Sequence, residues 1–347
     1  MQYRRLGRTD LDVSLICLGT MTYGQQNTEA EGHQQMDYAL ERGVNFFDTA
    51  EMYSVPPKPE TYGRTEEIIG TWFAARKTRD KVILATKAVG PGERFCHIRD
   101  GSPKLNRTHL TQAVEDSLKR LRTDYIDLYQ LHWPERSVNS FGKLGYSHVE
   151  NEEPTPIAET LAALGELVKA GKIRHVGLSN ETPWGMMTFA RVADEAGLPR
   201  AASVQNPYNL LNRSFEVGAA EVAIREDLGL LAYSPLAGGY LSGKYLDGRK
   251  PEGARMTLFA ANFGRYANDS AQAAIVEYAG IARDHGLDPA QMALAFVNTR
   301  QFMTANIIGA TTMDQLKTNI DSLDTVLSDT VIKAIEEVHA RHSNPGP

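Results

Sequence analysis

The chain has 347 residues, 42% of them hydrophobic, which suits one large α/β domain or two average ones. A formal charge of -6 argues against duplex nucleic acid as a partner, and two cysteines outside any CxxC pair, Cys17 and Cys96, argue against a disulfide framework or a cysteine-rich zinc site. The opening MQYRRLGRTD has no apolar leader core and no stretch of 18 apolar residues occurs, so a soluble, cytoplasmic protein with no membrane partner is expected.

In chain order, the opening YRRLGRTDLDVS reads as a short hairpin around Gly7–Asp10 that could plug the bottom of a barrel. Short apolar runs then alternate with amphipathic segments. The runs are LICLG (15–19), VNFFD (44–48), KVILATK (81–87), YIDLYQLH (125–132), IRHVGLSN (173–180), ASVQN (202–206), LGLLAYS (228–234) and ANIIGA (305–310). Between them, EAEGHQQMDYALERG reads as a helix closed by Gly43. NRTHLTQAVEDSLKRLR starts from a cap at Asn106–Thr108, and PIAETLAALGELVKAGK starts with a proline in its first turn and stops at Gly171. The last helical pattern, Ser328 to His342, lies beyond the eighth unit. Eight strand–helix alternations fit a closed (β/α)8 TIM barrel in one α/β domain, residues 1–347, with an N-terminal hairpin and an extra C-terminal helix. The competing doubly wound sheet usually carries GxGxxG after its first strand, and GTMTYG lacks that spacing. Long connections at 88–107, 134–155 and 236–268 all follow strands, which puts them on the face where barrel enzymes carry their sites.

Asp48, Lys87 and His132 end three consecutive strand runs. Adjacent strands lie about 4.8 Å apart, so these tips are within side-chain reach, and Tyr53 in the loop after Asp48 can fold over them. A free phenol, with a pKa near 10, is a poor acid at neutrality; a buried Lys87 ammonium would lower that value, and Asp48 would keep the ammonium charged and oriented. His132 could donate to a carbonyl oxygen or relay a proton. Together the four make a general acid aimed at an oxygen. A metal hydrolase built on Asp48 and His132 is the chemical rival. It needs three or four ligands, and the remaining histidines lie in helical, tail or loop patterns; no metal is expected.

The segments FFDTAEMY, LATK, RLRTDYIDLYQLHWP, GLSN, VQNPYN, YSPLAGGYLSGKY and IIGATTMDQLKTN follow one another in an order that resembles the aldo-keto reductase superfamily over nearly the whole chain, and in particular its potassium-channel-β-like branch. The resemblance implies Asp48, Tyr53, Lys87 and His132 as a catalytic tetrad with Tyr53 as proton donor. Potassium-channel β subunits have Asn where this chain has His132. It also implies an NADP(H) cofactor, rather than NAD(H), bound in the barrel without a Rossmann domain. The cofactor positions implied are Gly19, Thr20, Met21 and Asp48, then Ser179, Asn180 and Gln205 toward the carboxamide and Tyr233 against the nicotinamide. Ser234, Pro235, Leu236 and Gly238 follow along the pyrophosphate, Lys244 and Arg255 at phosphates, and Gly309, Thr311, Gln315 and Asn319 at the adenosine end. Relatives with strong 2′-phosphate sites often carry Lys-Ser after the eighth strand and a later Arg. Here Gly309-Ala310 and Gln315 stand instead, so the charge must come from Lys244 and Arg255; Thr318 also replaces an acid that contacts adenine in some relatives. The expected activity is reduction of a small-molecule carbonyl substrate in a pocket that includes Tyr23 and Trp133, by a monomer or weak homo-oligomer. The alternative is an NADPH-binding sensor barrel with little turnover.

Overall fold

The computed structural model describes residues 1–262 and 264–347. Ten strands form: β1 (Tyr3–Arg5), β2 (Asp12–Ser14), β3 (Ile16–Gly19), β4 (Phe46–Asp48), β5 (Ile83–Ala88), β6 (Ile126–Leu131), β7 (Ile173–Ser179), β8 (Ala201–Pro207), β9 (Gly229–Tyr233) and β10 (Met303–Ile308). The last eight close into a parallel barrel in sequence order, with β10 beside β3, as the alternation predicts. β1 and β2 form the separate antiparallel hairpin, and its Leu6 and Val13 enter the barrel interior with Cys17, Phe46, Ala85 and Leu128.

The helices are α1 (Glu29–Glu41), α2 (Arg64–Arg76), α3 (Arg107–Leu121), α4 (Ile157–Lys169), α5 (Pro183–Ala196), α6 (Ala219–Arg225), α7 (Arg255–Phe259), α8 (Asp269–Asp284), α9 (Pro289–Asn298), α10 (Met313–Asp321) and α11 (Asp329–Arg341). Short polar side chains start most of them. Thr28 caps α1 in a reciprocal pair with Glu31, and Asn106, Thr182, Asn268, Asp288, Thr312 and Ser328 each accept a backbone N–H of the following turn. Pro156 sits one position outside α4 rather than in its first turn. The expected extra helix is α11. A second one was not read from the sequence: α8 lies between β9 and the last barrel strand and packs on α11. Among the described residues no helix is long and apolar enough to cross a membrane.

Strand residues alternate between two apolar layers. Leu18, Phe47, Leu84 and Tyr129 face the helices, while Cys17, Phe46, Ala85, Leu128, Leu231 and Ala305 fill the barrel. With a side-chain period of two, the next inward positions are Gly19, Asp48, Lys87, Gln130, Tyr233 and Ile307. The residues that fill the barrel therefore deliver an acid, an amine, an amide and a phenol to its C-terminal rim.

Candidate active site

Lys87 is completely buried, and its ammonium donates to Asp48 Oδ2 at 2.6 Å and to the Thr49 carbonyl at 2.8 Å. The other carboxylate oxygen, Asp48 Oδ1, accepts from Gln205 at 2.8 Å and Gln130 at 3.1 Å. Both oxygens are thus occupied, so the pair meets the requirement that a buried ion pair be fully hydrogen-bonded. Burial pulls the Lys87 pKa down, but Asp48 and then Tyr53 outweigh it, and the ammonium is held charged.

Tyr53 lies over this pair, with the Lys87 nitrogen 5.0 Å from its ring centre. The His132 ring stands edge-on to it at 5.8 Å. The structure thus brings Asp48, Tyr53, Lys87 and His132 together. It differs from the sequence expectation on acidity. Burial raises the Tyr53 pKa, Lys87 lowers it, Asp48 raises it again, and the net direction is upward. The reason is that burial disfavours the phenolate more than the Lys87 ammonium favours it, and the nearby Asp48 carboxylate adds to the rise. The phenol consequently keeps its proton at neutral pH. Burial, with the positive charges of Lys87 and Arg94, drives the His132 pKa well below its usual value. The imidazole is therefore neutral, and its Nδ1 is buried with no hydrogen-bond partner among the described residues.

From the tetrad a cleft of about 940 Å³ runs across the barrel mouth, within the range of small-molecule and cofactor sites. Every cofactor position expected from the sequence lines it, from Gly19, Thr20 and Met21 through Ser179, Asn180, Gln205, Tyr233, Ser234, Pro235, Leu236, Gly238, Lys244 and Arg255 to Gly309, Thr311, Gln315 and Asn319. Ser179 and Gln205 pair across neighbouring strands, and the Ser179 hydroxyl donates to the Gln205 carbonyl at 2.9 Å. The Tyr233 hydroxyl donates to Asn180 Oδ1 at 2.7 Å, and burial pushes its pKa up to about 12. Beyond β9 the chain turns through left-handed backbone at Ser234, Ala237, Gly238 and Gly239. At Gly238, with φ +67°, any side chain would strain this left-handed backbone, and an added methyl would also displace the end of the Met256 side chain, so the turn favours bare backbone. Burial, then Arg255, lowers the Lys244 pKa. Two cations thus sit close together on one wall, an arrangement that an anion between them relieves.

At the start of α10 the chain's own side chains occupy the helix-terminal donors. The Thr311 N–H donates to Gln315 Oε1, the Gln315 N–H to the Thr312 hydroxyl, and the acidic Asp314 also lines the cleft. Its helix-terminal donors are thus partly spent within the helix. The chemistry of this lining fits a dinucleotide: polar amides at one end, a phenol, a bare glycine turn, then cations.

Tyr23 is not in the substrate pocket. Its ring is fully buried, its hydroxyl donates to Gln35 at 3.0 Å, and its carbonyl accepts from Ser54 and Thr65. It ties down the turn after Tyr53 rather than meeting a ligand. Trp133 lies behind the site. It packs 4.9 Å from the His132 ring and lines a separate apolar groove of about 350 Å³. Sequence reasoning missed Gln130, although a glutamine two residues before His132 in an otherwise apolar run was a usable signal. It also missed Glu51, whose buried carboxylate binds Arg99 at 2.9 Å and the Val89 N–H at 2.6 Å. Arg94, Phe141, Arg265 and Tyr266 also line the cleft or its mouth, and each comes from a connection whose path no sequence pattern reveals. Among the described residues no group of three His, Cys, Asp or Glu is placed to hold a metal ion.

A parallel eight-stranded barrel with a Tyr–Lys–Asp–His cluster at the strand tips, opening into a dinucleotide-sized cleft, defines the architecture of a barrel oxidoreductase. Residues 15–340 match the Aldo/keto reductase family. The chain belongs to the aldo-keto reductase family. It is 52% identical over 347 residues to "Protein tas" of Escherichia coli (strain K12), covering all of both chains. It is 33% identical to "Uncharacterized oxidoreductase YrpG" of Bacillus subtilis, over 100% of this chain and 97% of that one. A "Probable voltage-gated potassium channel subunit beta" of Arabidopsis thaliana is 30% identical over 97% and 96% of the two chains. Family membership makes the protein an oxidoreductase of a group that generally works with nicotinamide cofactors.

Proposed function

We propose that the protein reduces aldehydes or ketones to alcohols with NADP(H), and that Tyr53 protonates the carbonyl oxygen. The observation that carries this reading is the buried Lys87–Asp48 pair under a protonated phenol. Ser179, Asn180, Gln205 and Tyr233 would hold the nicotinamide end, and Lys244 and Arg255 the adenosine phosphate. When bound, the dihydronicotinamide supplies the hydride to the carbonyl carbon. Tyr53 gives its proton to the oxygen, and the fixed Lys87 charge steadies the phenolate left behind. Neutral His132 is a hydrogen-bonding partner for the same oxygen.

Tyr53→Phe removes the acid and keeps the ring. We expect kcat for an aldehyde panel to fall by about 10²–10⁴-fold, with NADPH affinity by fluorescence titration little changed; an unaltered kcat removes the assignment. Similarity to the potassium channel β subunits favours a second reading, a barrel that holds NADPH and signals with little turnover. A panel on which the native chain shows no NADPH consumption, while NADPH still binds, would select it.

A further inference from the structure

Arg94 is the cation of the substrate end. It lines the cleft together with Tyr53 and His132, on the chain that arches over them after β5. Arg94 is itself exposed at the mouth of the cleft, whose lining also includes the apolar side chains of Met52, Val55, Pro56 and Phe141. No ion pair or hydrogen bond holds its guanidinium among the described residues; its ring contact is with the adjacent Phe95, 5.1 Å from the ring centre. The arch itself is fixed. Buried Arg99 donates to both oxygens of buried Glu51 at 2.9 Å and to the Val89 carbonyl at 3.1 Å. Phe95 is buried 5.2 Å from Trp133, which in turn packs on His132. The backbone carrying Arg94 is therefore bolted beside the tetrad, and the charge is near enough to depress protonation of His132. No carboxylate in the site answers it. Asp48 is consumed by Lys87, and the other acids of the cleft, Asp288 and Asp314, stand in the far wall at the starts of α9 and α10.

We propose that Arg94 selects, as substrate, carbonyl compounds that carry a carboxylate on an apolar body, with the carbonyl at Tyr53 and the carboxylate on the guanidinium. This deepens the carbonyl-reductase reading and rests on it. A planar guanidinium matches a carboxylate with two parallel N–H···O bonds, and the fixed backbone that carries Arg94 sets their direction relative to Tyr53.

The test compares 4-carboxybenzaldehyde with benzaldehyde in the NADPH-loaded native protein, Arg94→Gln and Arg94→Lys. The native chain should favour the carboxylated aldehyde through KM. The ratio of the two kcat/KM values should fall about ten-fold or more in Arg94→Gln, equivalent to about 1.4 kcal/mol. Arg94→Lys should restore part of it, and the native preference should shrink as salt is raised. A ratio indifferent to Arg94 overturns this inference alone, provided benzaldehyde is reduced and Tyr53→Phe abolishes that reduction. If neither aldehyde turns over, the reductase reading fails and binding decides. Weaker binding of 4-carboxybenzaldehyde by about ten-fold in NADP⁺-loaded Arg94→Gln, with no matching loss for benzaldehyde, upholds the anion site; equal dissociation constants end it.

Discussion

The two ends of the cleft are built on opposite electrostatic plans. At the tetrad the buried ion pair is satisfied within the protein: Lys87 by Asp48 and Thr49, and Asp48 by two glutamines as well. These groups sit on strands whose register fixes them, with Gly19 opposite Asp48 and Lys87 opposite Gln130. At the far end Lys244 and Arg255 come from a connection of left-handed turns and short helices, and Lys244 titrates low because burial and Arg255 both oppose its charge. The Lys87–Asp48 pair of the first end is complete before any ligand arrives, as a preorganised reacting group must be. The second is set up to gain from one. A rigid end suits chemistry, and an end where two cations stand close enough to oppose each other suits capture of an anion.

The sharpest way to break this contrast is Lys87→Met. It leaves the Asp48 carboxylate buried without its cation, and we expect a loss of about 3–5 kcal/mol in denaturant unfolding. Adding Asp48→Asn should recover part of that loss, because the leftover charge is then gone; a double variant as unstable as the single one would show the pair is not a unit. At the other end, Lys244→Ala and Arg255→Ala should each weaken NADPH by about ten-fold or more, in line with about 1.5–3 kcal/mol for a hydrogen bond to a charged group. NADH should lose much less. Equal losses for both cofactors would mean that these cations do not read the 2′-phosphate.

The smallest effect concerns protons. The folded His132 pKa is depressed, whereas the unfolded chain takes up this proton near pH 6.5. Its contribution to stability is therefore present above about pH 6.5 and lost as the pH falls, by at most about 1.4 kcal/mol per pH unit. Stability curves of the native chain and His132→Asn should converge as the pH drops below that point; parallel curves would deny His132 this role. Because the Tyr53 phenol titrates upward from its ordinary value, kcat/KM for carbonyl reduction should stay level between about pH 7 and 9 as far as this acid governs it. A decline through neutrality would place the phenol lower than the structure does.

Much of this arrangement was legible in the residues. Alternation of short apolar runs and amphipathic segments predicts the closed barrel. The acid, amine and histidine at three consecutive run ends predict the cluster, because period-two alternation carries an inward-facing position up to the rim. What misled was local reasoning about loops. Tyr23 follows a strand tip as Tyr53 does, yet it points into the layer between α1 and α2, where Gln35 receives its hydroxyl. α8 carries a clear cap at Asn268 but belongs to no strand–helix unit, so counting units passed over it.

By itself the sequence determined the barrel, its hairpin plug and the meeting of Asp48, Lys87 and His132 at one rim, since these follow from periodicity and from neighbouring strand ends. Only the tertiary structure decided the proton state of Tyr53, the spending of the α10 donors on their own side chains, and the company of Arg94. Those depend on burial and on charges brought together from distant segments, Arg99 against Glu51 and Lys244 beside Arg255, and a one-dimensional pattern does not encode the distances on which electrostatic energies turn.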